Sequence, residues 1–124
     1  MRRVLGRGPA LFLAAALAFI APARAAEAFR QIKGPEIKAR LTGMELTDGV
    51  HWAYVFGRNG RTKSFSLGKP GAGAWSVQKD ELCLTGGPGE PGCYHVWMSG
   101  QSVQLRREGS IPEEGTLQKP EKRP

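Results

Sequence analysis

The residues able to do chemistry in this chain are few. They are two histidines, His51 and His95, two cysteines, Cys83 and Cys93, and a scatter of carboxylates. Either histidine could act as an acid or base near neutral pH. Neither stands in a motif that supplies a partner, and no Ser occupies a Gly-x-Ser-x-Gly elbow. Asp48, Asp80 and Glu81 fall in expected turns and Glu90 in a Gly/Pro loop. Paired-acid glycoside chemistry needs two carboxyls held rigidly about 5–9 Å apart. Gly86-Gly87-Pro88-Gly89 lacks the Lys and Ser/Thr of a phosphate loop. A small enzyme using His95 or His51 is the alternative reading, and these two side chains are its whole support. No catalytic residue, metal site or cofactor is assigned.

The cysteines carry more. Nine residues separate Cys83 from Cys93, among them four glycines and two prolines. A redox pair is usually Cys-x-x-Cys at a helix start, a zinc site needs four ligands, and haem attachment needs Cys-x-x-Cys-His. The spacing favours a structural disulfide between antiparallel strands with Cys83 opposite Cys93, which sets Leu82 against Tyr94. Leu82, Leu84, Tyr94, Val96 and Met98 then share one sheet side. Cys83, Cys93, His95 and Trp97 share the other, so Met98 and His95 cannot join in a copper site.

A disulfide presumes an oxidising compartment, and the N-terminus is consistent with export. Arg2, Arg3 and Arg7 precede an apolar run over residues 10–21, then Pro22, Ala23, Arg24 and Ala25. This is the layout of a signal peptide over residues 1–25, cleaved after Ala25, with Ala26 or Ala28 as neighbouring options. The run is shorter than the ~20 residues of a membrane span, so no integral membrane segment is expected after cleavage. Losing the arginines at 2, 3, 7 and 24 lowers the formal charge from +7 to +3. That is an ordinary soluble surface, which argues against nucleic-acid binding.

The elements that must position these residues read as strands. Alternation over 36–41 puts Ile37, Ala39 and Leu41 on one face. Aromatic and β-branched residues fill 50–56, and Asn59-Gly60 fits a type I′ hairpin turn into a return strand at 61–67. There Phe65 and Leu67 share one face, with Thr62, Ser64 and Ser66 on the other. Residues 68–73 read as a Gly/Pro loop, followed by strands at 74–77, 81–84, 93–98 and 102–105, with tight turns at Lys79-Asp80 and Ser99-Gly100. Residues 29–38 have room for one helical turn, broken at Gly34-Pro35. About seven short strands predict an all-β antiparallel meander, a barrel or sandwich. The β-domain covers 26–107, and 108–124, poor in apolar residues, reads as a disordered tail. With aromatics on both strand faces, Trp97, His95, Trp52 and Tyr54 form the candidate binding patch.

The string Gly34-x-Glu36-Ile37, His51-Trp52-x-Tyr54-x-Phe56, Asn59-Gly60, Gly73-x-Trp75-x-Val77, Leu82-Cys83 and Cys93-Tyr94-x-Val96 resembles small exported bacterial proteins of unknown function. The resemblance spans about residues 29–106 and implies a small, loosely lipocalin-like β-domain with one disulfide. It implies no activity. Size and disulfide pattern are also similar to those of several periplasmic hydrolase inhibitors. The expected role is therefore a non-enzymatic, inhibitor-like or accessory module in the cell envelope, with an envelope protein or glycan as partner.

Overall fold

The computed structural model describes residues 14–16 and 28–123. The expected leader and its expected cleavage site at Ala25 and Ala26 thus lie outside the described residues, apart from Ala14, Ala15 and Ala16, which are exposed. No helix among the described residues is long and apolar enough to cross a membrane.

The fold is all-β, with nine strands and one helix among the described residues. In chain order these are β1 (Arg30–Ile32), α1 (Gly34–Leu41), β2 (Glu45–Thr47), β3 (Trp52–Phe56), β4 (Arg61–Ser66), β5 (Lys69–Gln78), β6 (Glu81–Thr85), β7 (Gly92–Ser99), β8 (Ser102–Arg106) and β9 (Glu113–Gln118). Strands β2 to β9 close an antiparallel eight-stranded barrel, because β9 pairs with β2 and β8 while β8 also pairs with β7. β1 is the additional strand. It pairs with Val96, Trp97 and Met98 of β7, beyond the three β7 residues that pair with β6. Up-and-down connectivity sends the β2–β3, β4–β5, β6–β7 and β8–β9 connections to one end. The other three turns gather at the opposite end.

Residues 36–41 are helical, not extended as the alternation suggested. Ile37 and Leu41 suit either pattern, since they stand both two strand repeats and one helical turn apart. Pro35 decides between them. It occupies the first helical turn, where its fixed φ is favourable and no N–H is required. Glu36 in the first turn and Lys38 and Arg40 in the last complement the helix dipole. Asp80, held in a turn where it and Lys79 both have positive φ, accepts the Gly34 N–H at 2.8 Å and caps the helix from across the fold. The helix then buries Ile37 and Leu41 in the core, while Ala39 is exposed.

The faces of β4 alternate through Phe65 as expected, and it is the polar one that turns inward. Thr62 and Ser64 point inward and are buried, whereas Phe65 lies on the outer face and Leu67 is 77% exposed. The volume inside explains this. Tyr54, Phe56 and Trp75 already fill the interior, so the facing positions must be small: Thr62 pairs with Gly73, and Ser64 with Gly71. A Cβ on Gly71 would lie 2.8 Å from Ser64 Oγ.

Two turns also differ from expectation. The loop assigned to 68–73 is strand, because Leu67 and Gly68, both at positive φ, make the two-residue β4–β5 turn by themselves. At Asn59-Gly60 only Gly60 has positive φ. Gly60 N–H bonds to Gly57 O and Gly57 N–H to Arg61 O, a three-residue loop instead of a type I′ turn. The register around the cysteines is as expected, with Cys83 opposite Cys93 and Leu82 opposite Tyr94. Those two cysteines form the disulfide.

The segment read as a disordered tail contains β9, the strand that closes the barrel. A strand inserted between two others takes its order from backbone pairing and needs few apolar side chains. Here Gly115 and Leu117 alone are buried. The chain then folds back over the outer face. Arg123 forms a two-pronged pair with the fully buried Glu45 carboxylate and stacks 4.0 Å over the Phe65 ring. The Glu121 N–H and the Gln118 amide also donate to Glu45.

Burial raises the Glu45 pKa, but Arg123, the Glu121 N–H and Gln118 outweigh it and leave the carboxyl below its usual range. A lowered folded-state pKa stabilises above the unfolded value, roughly 4, and the contribution fades as pH falls below it. Wild type should therefore resist urea better than Glu45→Gln at pH 7, with the gap closing below about pH 4. Urea midpoints across pH check this, and a gap independent of pH would contradict it.

Candidate functional site

The two ends of the barrel differ in kind. α1 plugs one. The other is formed by four connections, and it carries all three of the strongly exposed large apolar side chains among the described residues. Val50 (74% exposed) lies in the β2–β3 turn, Leu67 in the β4–β5 turn, and Ile111 (90%) in the β8–β9 connection.

Asp48 builds the β2–β3 turn. Its Oδ1 accepts the N–H groups of Val50, His51 and Trp52 at 2.7–3.0 Å, and its Oδ2 lies 2.8 Å from His51 Nδ1. Burial pushes the Asp48 pKa up, but these bonds prevail and hold it far below the usual carboxylate range. The Asp48–His51 pair is thus occupied in shaping the turn that raises Val50 and leads into Trp52.

At the centre of this end lies a pocket of about 60 Å³ lined by Trp52, Tyr54, Leu84, Pro88, Gly89, Tyr94, Leu105 and Glu113. Trp52 and Tyr54 alternate inward from β3 and meet edge to face at 5.9 Å. Two phenols fasten the β6–β7 loop over the pocket. The Gly89 N–H donates to the Tyr54 hydroxyl at 2.7 Å, and the Tyr94 hydroxyl donates to Glu90 O. Arg107 ties the same loop by pairing with Glu90 and donating to Pro91 O. The glycines are spatially required, since a Cβ on Gly87 would stand 2.6 Å from Tyr54 Cε1. Burial pushes both tyrosine pKa values upward, and Glu113 adds to the rise in each.

The four predicted patch residues do not meet. Trp52 and Tyr54 wall the pocket, while His95 and Trp97 lie on the outer face of β7, as the cysteine register required. There Arg106 covers the Trp97 ring at 4.1 Å. His95 has Gln31 Nε2 at 3.1 Å and Glu81 Oε2 at 3.8 Å. Among the described residues, no group of three His, Cys, Asp or Glu side chains is placed to hold a metal ion.

Sequence reasoning missed Glu113, Leu105 and the Pro88-Gly89 wall. The glycines flanking Pro88 were a usable signal, because a run of that kind lets a loop lie flat against an aromatic ring. Comparison with protein-family models, with curated proteins and with solved structures finds no match for this chain.

Proposed function

We propose that the protein is a non-enzymatic binding module of the cell envelope that docks a partner protein through the loop end of its barrel. The observation that carries this reading is that Val50, Leu67 and Ile111 stand exposed on three connections at the same end of the barrel as the aromatic pocket. Isolated exposed apolar residues are unremarkable. A set standing at the same end as a concave aromatic pocket has the composition of an interface.

Interior carriage of a small ligand has less support, because Phe56, Trp75 and their neighbours occupy the barrel and the pocket at its mouth is small. The disulfide supports an oxidising location, and with the leader-like N-terminus it supports export.

The test compares partner capture by wild type and by the triple variant Val50→Ser/Leu67→Ser/Ile111→Ser, with cross-linking in envelope extracts. Because these side chains are exposed, the variant should melt like wild type. Its captured partner should fall at least tenfold, about 1.4 kcal/mol of binding. Equal capture by both proteins would refute docking at this end.

A further inference from the structure

The mouth pocket has a chemistry of its own. Three aromatic rings, Trp52, Tyr54 and Tyr94, wall it together with the aliphatic Leu84, Leu105 and Pro88, and its one charged lining residue is Glu113. The Glu113 side chain forms no ion pair with any described residue.

Aromatic faces carry negative potential and attract cations, most strongly where water is excluded. A carboxylate at the rim adds to that potential, and an anion would meet repulsion from both. Arg107 lies 4.8 Å over the Tyr94 ring and is paired with Glu90. Its charge is balanced, and it leaves Trp52, Tyr54 and Glu113 unengaged by any cation. The protein seats cations on rings elsewhere too, with Arg106 on Trp97 and Arg123 on Phe65.

We infer that this pocket is an aromatic cage for an alkylammonium group, and that the group it receives is the side chain of a lysine on the docked protein. The volume fits the end of one side chain. The aliphatic lining suits methylene groups, and Glu113 meets the charge. This inference rests on the docking reading for the identity of its occupant, while the cage can be tested without any partner.

The probe is n-butylammonium chloride, followed by NMR at the Trp52 indole N–H, with n-butanol and sodium butyrate as neutral and anionic counterparts. Saturable shifts at Trp52 are expected with n-butylammonium, about tenfold weaker binding with n-butanol, and none with butyrate. Glu113→Gln, at an exposed position, should fold normally and bind n-butylammonium about tenfold less tightly. Equal binding of butanol, an unchanged Glu113→Gln, or no saturation at Trp52 would each overturn the cage. A protein that fails this titration yet still captures its partner through Val50, Leu67 and Ile111 loses the cage and keeps docking. The converse result keeps the cage and removes docking.

Discussion

Replacing Phe56 by Ala should cost about 3–5 kcal/mol, the range for emptying a large aromatic site in a closed core. Phe56 is fully buried, lies nearly parallel to Tyr54 at 6.2 Å and meets Trp75 edge-on at 5.3 Å. Its backbone also joins β3 to the segment after α1, with the Phe56 N–H on Met44 O and the Gly43 N–H on Phe56 O. The facing positions cannot compensate, because Thr62 and Gly73 are small and set in paired backbone. A domain of this size has about 5–15 kcal/mol in total, so the variant should be largely unfolded at modest urea. Phe56→Leu, which keeps most of the volume, should lose about 1–1.5 kcal/mol. Urea unfolding followed by near-UV circular dichroism measures both. A Phe56→Ala loss below about 1 kcal/mol would mean that the interior collapses around the gap and is not the rigid filling described here.

The second large effect is expected from Cys83→Ser/Cys93→Ser. The disulfide closes a loop with a sequence separation of 10, so chain-entropy arguments give about 2–3 kcal/mol. For a domain of under a hundred residues that corresponds to a melting temperature lower by about 10–20 °C. The loop has other ties, through the hydroxyls of Tyr54 and Tyr94 and through Arg107 to Glu90 and Pro91. The serine variant should therefore refold to the same barrel, with the deficit confined to stability. Thermal melts with and without reductant check this. A wild type insensitive to reductant, or one with free thiols by mass spectrometry after oxidative folding, would count against the crosslink.

What was legible in the sequence depended on how local the deciding contacts are. The Cys83–Cys93 hairpin was readable because two alternating strands flank one loop, and a single opposite pair sets the faces of Leu82, Leu84, Tyr94, Val96 and Met98. Leu41 and Ile37 were ambiguous, and only the capping carboxylate of Asp80, 46 residues from Gly34, together with Pro35 settles them as helix. The alternation of Thr62 and Ser64 with Phe65 was readable, but polarity alone does not say that Thr62 and Ser64 turn inward. Inside a narrow barrel, volume matters as much, and the large rings of β3 and β5 force small partners. β9 was missed because its order comes from β2 and β8 on either side, not from its own composition. The pocket combines Tyr54 with Glu113, at positions no local pattern relates.

The stopper helix has a consequence for engineering. With α1 sealing one end of the staves, the opposite rim has two connections under structural obligation, the β6–β7 loop pinned by two phenols and the β2–β3 turn wound on Asp48. Gly49, Gly68 and Gly109 all have positive φ and are held to glycine by backbone strain, so what can vary at this rim is the exposed side chains of Val50, Ser110 and Ile111. The molecule is thus a natural chassis for display libraries, in which Val50, Ser110 and Ile111 are randomised and Asp48, His51, the rim glycines and residues 86–91 are left untouched.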